Sequence, residues 1–215
     1  LVQTLIDNGA NINAQNRDLE TPLMLAIQIK RLQVANLLLS HNADVTLAND
    51  YGKTALYYAC EEEDLNLIEN LINKGADPNI GYLLHKAVRK TTSSEQWLDI
   101  MKLLIHYGAD INEPDIHNNN ITPFQIACQY GATKAAVLLA KHGADINARI
   151  SEEIQSDPKC QNGYDLLKSS YKKRKKSAEF DKAWKEIEEA RLSFFIKTIT
   201  PLFDSPLQGQ CTYRL

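Results

Sequence analysis

Gly9-Ala10-Asn11-Ile12-Asn13, Asn42-Ala43-Asp44-Val45-Thr46, Gly75-Ala76-Asp77-Pro78-Asn79, Gly108-Ala109-Asp110-Ile111-Asn112 and Gly143-Ala144-Asp145-Ile146-Asn147 are five versions of one phrase. They return at steps of 33, 33, 33 and 35 residues. A period of this length predicts stacked units, each burying its apolar face against its neighbours. Such a stack works by presenting an extended surface, so binding rather than catalysis becomes the first functional question.

Each phrase follows a helical pattern. Before Gly75 runs Leu65-Asn66-Leu67-Ile68-Glu69-Asn70-Leu71-Ile72, with apolar residues at helical spacing. Ile100, Leu103 and Leu104 precede Gly108, and Val137, Leu138 and Leu139 precede Gly143. The glycine suits the left-handed position that ends a helix, and Asn42 replaces it once. A second phrase opens each complete helix pair: Thr21-Pro22-Leu23-Met24-Leu25-Ala26, Thr54-Ala55-Leu56-Tyr57-Tyr58-Ala59 and Thr122-Pro123-Phe124-Gln125-Ile126-Ala127. Thr caps the helix, Pro fits its first position, and Ala allows close helix approach.

Thr-Pro-Leu-x-x-Ala followed by Leu-Leu-x-x-Gly-Ala-Asp-x-Asn resembles the ankyrin repeat over roughly residues 1–150. The resemblance implies an all-α solenoid. Each unit would hold a β-hairpin turn and two antiparallel helices, with the hairpins on one side and a concave face between. The expected organisation is half a repeat over 1–13 and repeats at about 16–48, 49–81, 82–114 and 117–149. A loop over 150–161, a divergent capping repeat over 162–199 and a tail or linker over 200–215 would follow. The pattern is disturbed inside the third complete repeat. Gly75 lies only 12 residues before Ala87, where Asn42 lies 17 before Ala59, so the hairpin is about five residues short. Thr91-Thr92-Ser93-Ser94-Glu95 reads as a compensating insertion between its helices. The next hairpin runs two residues long and carries Asn118-Asn119-Asn120.

Past Arg149, Asn162-Gly163-Tyr164-Asp165-Leu166-Leu167 echoes a repeat start. A helix is expected from about 178 to 199, with Phe180, Ala183, Trp184, Ile187, Ala190, Phe194 and Phe195 on one stripe that covers the last core face. The chain opens with Leu1-Val2-Gln3 inside a helical pattern, which reads as a fragment of a longer protein.

A net charge of −3 over 215 residues gives no general attraction to nucleic acid. Residues 1–150 hold 12 Lys and Arg against 17 Asp and Glu, a net of −5. The run Lys172–Lys176 reads as a solvated helix face or turn, or as a nuclear-import-like patch. Cys60, Cys128, Cys160 and Cys211 form no CxxC pair, which points to a reducing compartment. Cytoplasmic placement is therefore expected, nuclear if the basic run acts. His41, His106 and His142 fit helix C-termini, and His85 fills the family's structural position. No metal site is read from these or from His117, and Cys160 has no evident base beside it. No cofactor is expected.

The resemblance implies that a partner touches hairpin tips and the exposed sides of first helices. Here these are Arg17, Asp18, Glu20, Gln28 and Ile29; Asp50, Tyr51, Lys53, Tyr58, Glu61 and Glu62; Tyr82, Arg89 and Lys90; and Asn118, Asn119, Ile121, Gln129 and Tyr130. Tyr51, Tyr82 and Tyr130 are the expected anchors. Acidic Glu61–Asp64 and basic Arg89-Lys90 would hold a partner in register. The chain also resembles substrates of the family's asparaginyl hydroxylases, with Leu eight residues and an acid two residues before Asn79, Asn112 and Asn147. The functional expectation is a non-enzymatic module that binds a protein partner. The alternative is a substrate-recruiting or targeting arm of an enzyme whose catalytic domain lies elsewhere, or a host-directed effector of an intracellular microbe acting in host cytosol.

Overall fold

The structure, a computed structural model, describes residues 1–149, 162, 165, 169 and 181–193. Nine helices are delimited among the described residues: α1 (Val2–Asp7), α2 (Pro22–Gln28), α3 (Leu32–Ser40), α4 (Ala55–Glu61), α5 (Leu65–Asn73), α6 (Leu83–Lys90), α7 (Gln96–His106), α8 (Pro123–Tyr130) and α9 (Thr133–Lys141). After the lone α1 they pair as α2/α3, α4/α5, α6/α7 and α8/α9. First helices pack on first helices and second on second, which makes a two-layered, all-α solenoid.

The two phrases explain themselves in the geometry. Thr21, Thr54 and Thr122 each accept a hydrogen bond from the backbone N–H three residues on, at 3.3–3.4 Å, and so cap α2, α4 and α8. Such a cap contributes about 1 kcal/mol. In the five-residue phrase, Asn42 (φ 60) and Gly75 (φ 99) hold the left-handed turn. The following Ala43, Ala76, Ala109 and Ala144 are buried. Asp44, Asp77, Asp110 and Asp145 accept the N–H two residues ahead at 2.8–3.0 Å. The closing Asn reaches the next unit. Asn13, Asn79 and Asn112 accept from the backbone N–H of Asp44, Asp110 and Asp145 at 2.7–2.8 Å. Thr46 stands where this Asn would be, and its hydroxyl turns back to Asp44 at 2.6 Å.

The core runs unbroken through Leu23, Ile27, Leu56, Ile68, Leu71, Leu84, Ile100, Leu104, Phe124 and Leu139. Residues 181–193 are helical. Ile187 is buried in the core cluster with Trp184 and Ala190 packed against it, Ala183 is buried, and Glu186 pairs with Lys141 of α9 at 2.5 Å. Of the expected stripe, Ala183 and Ile187 are buried and Trp184 and Ala190 partly so, while Phe180, Phe194, Phe195, Lys172–Lys176, Cys160 and Cys211 lie outside the described residues. Hairpins are reduced to isolated antiparallel bridges at Ala48–Thr54, Asp115–Ile121 and Arg149–Asn162. Between α5 and α6 no bridge forms. Gly81 (φ 80) and Tyr82 (φ 51) turn the chain directly into α6, which agrees with a shortened hairpin. Thr91–Glu95 does separate α6 from α7.

Candidate functional site

The hairpin tips are shaped by their own side chains. Asn49 Oδ1 accepts from the N–H of Tyr51 (3.0 Å) and Lys53 (2.9 Å). Asn16 does the same for Asp18 and Glu20 at 3.0 and 2.8 Å. Adjacent tips join where the Asp50 N–H donates to the Asp18 carbonyl at 3.1 Å. Arg17, Asp18 and Asp50 are exposed, and Tyr51 is 76% exposed. Lys53 Nζ lies 5.8 Å from the Tyr51 ring centroid and 4.9 Å from that of Tyr57. In the long fourth hairpin, Asn119 (φ 53) and Asn120 (φ 54) take left-handed conformations that asparagine tolerates best among residues with a side chain. Asn118 and Asn119 are exposed there.

Two expected contact residues are corrected. Tyr58 is only 8% exposed: its hydroxyl accepts from Asn49 Nδ2 at 3.0 Å and donates to Glu20 at 3.4 Å. Burial, then the charge of Glu20, pushes its phenol above the usual range. Ile121 is 2% exposed, because it leads from the hairpin into the Thr122 cap. Its carbonyl accepts from His85 Nε2 at 3.1 Å, tying α6 to the next hairpin. His85 is fully buried, its Nδ1 has no hydrogen-bond partner, and burial lowers its pKa. Gln125 occupies the same repeat position and donates to the carbonyls of Ala148 and Arg149 at 3.0 and 3.1 Å.

The three tyrosines do not form one patch. Tyr51 stands on a hairpin tip. Tyr82 is half-buried, edge-on to His85 and His117 at 5.4 and 5.9 Å. Tyr130 ends α8, at the end of that helix away from its hairpin. Nor is the charge pattern open to a partner as expected. Glu61 pairs with Lys86, Glu62 with Lys30 at 2.5 Å, and Arg89 with Asp115 at 3.5 Å. Asp64 caps α5. Glu63 accepts from Trp97 Nε1 at 2.8 Å and from Ser94 Oγ at 3.2 Å, and its carbonyl accepts from Gln96 Nε2 at 2.7 Å. Gln28, Ile29, Lys90 and Gln129 are exposed. In Asn79 and Asn112, expected as modification sites, the side-chain amide is engaged in the loop staples described above.

Sequence reading placed Glu63 in an acidic edge for a partner and missed its pairing with Trp97. The available signal was that Glu63 and Lys30 stand at the repeat position that Gly131 fills in the fourth repeat, and all three are left-handed, with φ 55, 59 and 65. A non-glycine residue there costs about 1–2 kcal/mol and marks a side chain with a use. Cys60 and Cys128 are buried, with the Cys60 thiol pushed up to about 12 by burial. Among the described residues no group of three His, Cys, Asp or Glu is placed to hold a metal. No helix among them is long and apolar enough to cross a membrane.

These features define a repeat solenoid whose units are tied by internal hydrogen bonds and whose first two hairpin tips stay exposed. A family model described as "Ankyrin repeats (3 copies)" matches residues 1–82 and 81–150. The chain belongs to the ankyrin-repeat family, whose members generally act in protein–protein interaction and are typically non-catalytic. A solved ankyrin repeat domain from Acinetobacter baumannii AYE is similar, at 30% identity and a TM-score of 0.59. That likeness covers 66% of this chain and 74% of the other. No curated protein matches.

Proposed function

We propose that this chain is a non-enzymatic module that binds a protein partner through its hairpin tips and the exposed sides of α2, α4 and α6. The observation that carries the reading is Tyr51, 76% exposed on a turn held by two hydrogen bonds to Asn49, with Lys53 against its ring. An aromatic side chain has few rotatable bonds, so on this hydrogen-bonded turn it loses little entropy on binding and offers a large contact area. The neighbouring charges are of mixed sign, with Arg17, Asp18 and Asp50 all exposed, so shape and hydrogen bonding outweigh net charge in this recognition. No cofactor or small substrate enters the proposal.

The test places a photo-crosslinking amino acid at Tyr51 and, in a second variant, at Asn36, which is exposed on α3 in the other layer. The expected result is protein adducts from position 51 and none from position 36. Equal labelling from both positions, or labelling from 36 alone, overturns the assignment of the face.

A further inference from the structure

The inserted segment Thr91–Glu95 forms a wall at the end of the helix pairs away from the hairpins. It is braced on one side where Ser94, and Gln96 and Trp97 just beyond it at the start of α7, donate to Glu63. On its other side the connection between α8 and α9 is short, because Gly131 turns it in the left-handed conformation. A tall connection beside a short one leaves a step, and the step is a cleft of about 590 Å³. Leu98, Ala132 and Ala135 contribute apolar lining, Tyr130 stands in it 46% exposed, and Lys134 crosses it to pair with Glu95.

The hydroxyls of the wall are chemically one-sided. Thr91, Thr92 and Ser93 donate to the carbonyls of Val88, Arg89 and Lys90 at 2.7, 3.1 and 2.7 Å, and Ser94 donates to Glu63 at 3.2 Å. Each has spent its hydrogen, so what these oxygens have left for a ligand is acceptor capacity. Glu95 is an acceptor only, with its side chain 84% exposed. An exposed aromatic ring beside a carboxylate and a row of acceptors suits a planar cation rich in donors. The net charge of −5 over residues 1–150 would draw a cationic segment in from a distance.

We infer that this cleft is a second docking site, separate from the hairpin face, for an arginine side chain on an extended segment of a protein partner. The guanidinium stacks on Tyr130 and takes Glu95 from Lys134, whose ammonium returns to solvent. Its remaining donors meet the wall hydroxyls. Lys134 is therefore an internal competitor for the site. The inference stands independently of the role assigned to Tyr51.

The experiment pans a random dodecapeptide phage library on the 215-residue chain. Affinities of the enriched synthetic peptides are then measured by fluorescence anisotropy against wild type, Glu95→Gln, Tyr130→Ala, Lys134→Ala and Tyr51→Ala. Thermal melts check that each variant is folded. Enriched peptides are expected to carry arginine and to lose binding when it is replaced by glutamine. Glu95→Gln should weaken binding about tenfold, the scale of one charge-assisted hydrogen bond, and Tyr130→Ala several-fold. Lys134→Ala should tighten it, which a merely structural role for Lys134 would not produce. Tyr51→Ala should leave it unchanged. Absence of enrichment, enriched peptides without arginine, or weakening by Lys134→Ala overturns the inference. Loss of peptide binding in Tyr51→Ala with no effect of Glu95→Gln also overturns it, and leaves the hairpin reading standing.

Discussion

The joint between α6/α7 and α8/α9 is regular, whereas the joint between α4/α5 and α6/α7 is improvised. At the regular joint α6 packs on α8, Asn112 staples one loop to the next, and His85 donates to the Ile121 carbonyl. Arg89 adds an ion pair to Asp115. At the other joint Asn79 still staples the loops, but α4 and α6 approach less closely and the shortened hairpin offers no bridge. Side chains take over. Tyr57 stands in the repeat position of His85 and packs near Gly81. Lys86 enters between the helices, its Nζ 3.5 Å above the Tyr57 ring and paired with Glu61. Glu63 grips the end of the insertion through Ser94 and the start of α7 through Gln96 and Trp97. A deletion at one end of a repeat is thus answered by an insertion at the other, and the inter-repeat contact moves from main chain to side chain.

Changes at the improvised joint should do more damage than equivalent changes elsewhere. Trp97→Ala removes a side chain that is 3% exposed and empties the grip of Glu63. It should cost about 3–5 kcal/mol, measured by urea unfolding, with the two halves of the solenoid separating into two transitions. A single transition with an unchanged midpoint would show that the joint does not depend on Trp97. Glu63→Ala should cost about 1–3 kcal/mol, because it leaves the Trp97 N–H without its partner. Glu63→Gly loses the same bond but relieves the left-handed strain that alanine keeps, so it should be the milder variant.

Asn112→Ala should cost about 1 kcal/mol at the regular joint. Thr46→Asn should recover part of that amount between α2/α3 and α4/α5, by supplying the missing staple to Asp77. If Thr46→Asn is neutral while Asn112→Ala is costly, the loops around Thr46 lie too far apart for the bond. The smallest effect is on pH. Burial lowers the His85 pKa in the fold, while the nearby Ile121 carbonyl and Asp115 oppose the shift and Arg89 reinforces it. The unfolded state therefore takes up the proton first. The contribution of neutral His85 is complete above about 6.5, the ordinary imidazole value, and declines as pH falls below it. His85→Gln, which copies Gln125, should flatten this slope in melts recorded from pH 7.5 to 5. An unchanged slope would assign the pH dependence to other groups.

Much of this architecture is legible in the residues. The 33-residue step, the Thr caps, the left-handed Gly or Asn and the Ala that follows all act within a few positions, and each does in the fold what its chemistry implies. The short third hairpin, the Thr91–Glu95 insertion and a helix with Ala183 and Ile187 on its buried stripe were readable from where the period fails. The binding surface was less legible. Tyr58 and Ile121 follow the sequence pattern of exposed contact residues but face inward, because Glu20 from the preceding unit holds one and His85 from the preceding unit holds the other.

The sequence by itself determined the repeat, the helices, their caps and the all-α solenoid, since these follow from preferences acting within one repeat. Only the tertiary structure decided which charges cancel, which aromatics stay exposed and where a cleft remains. Glu63 meets Trp97 across 34 positions, and Asn79 meets Asp110 across 31. Contacts at that separation depend on how one repeat sits upon the next, and no local preference of the residues that make them encodes it.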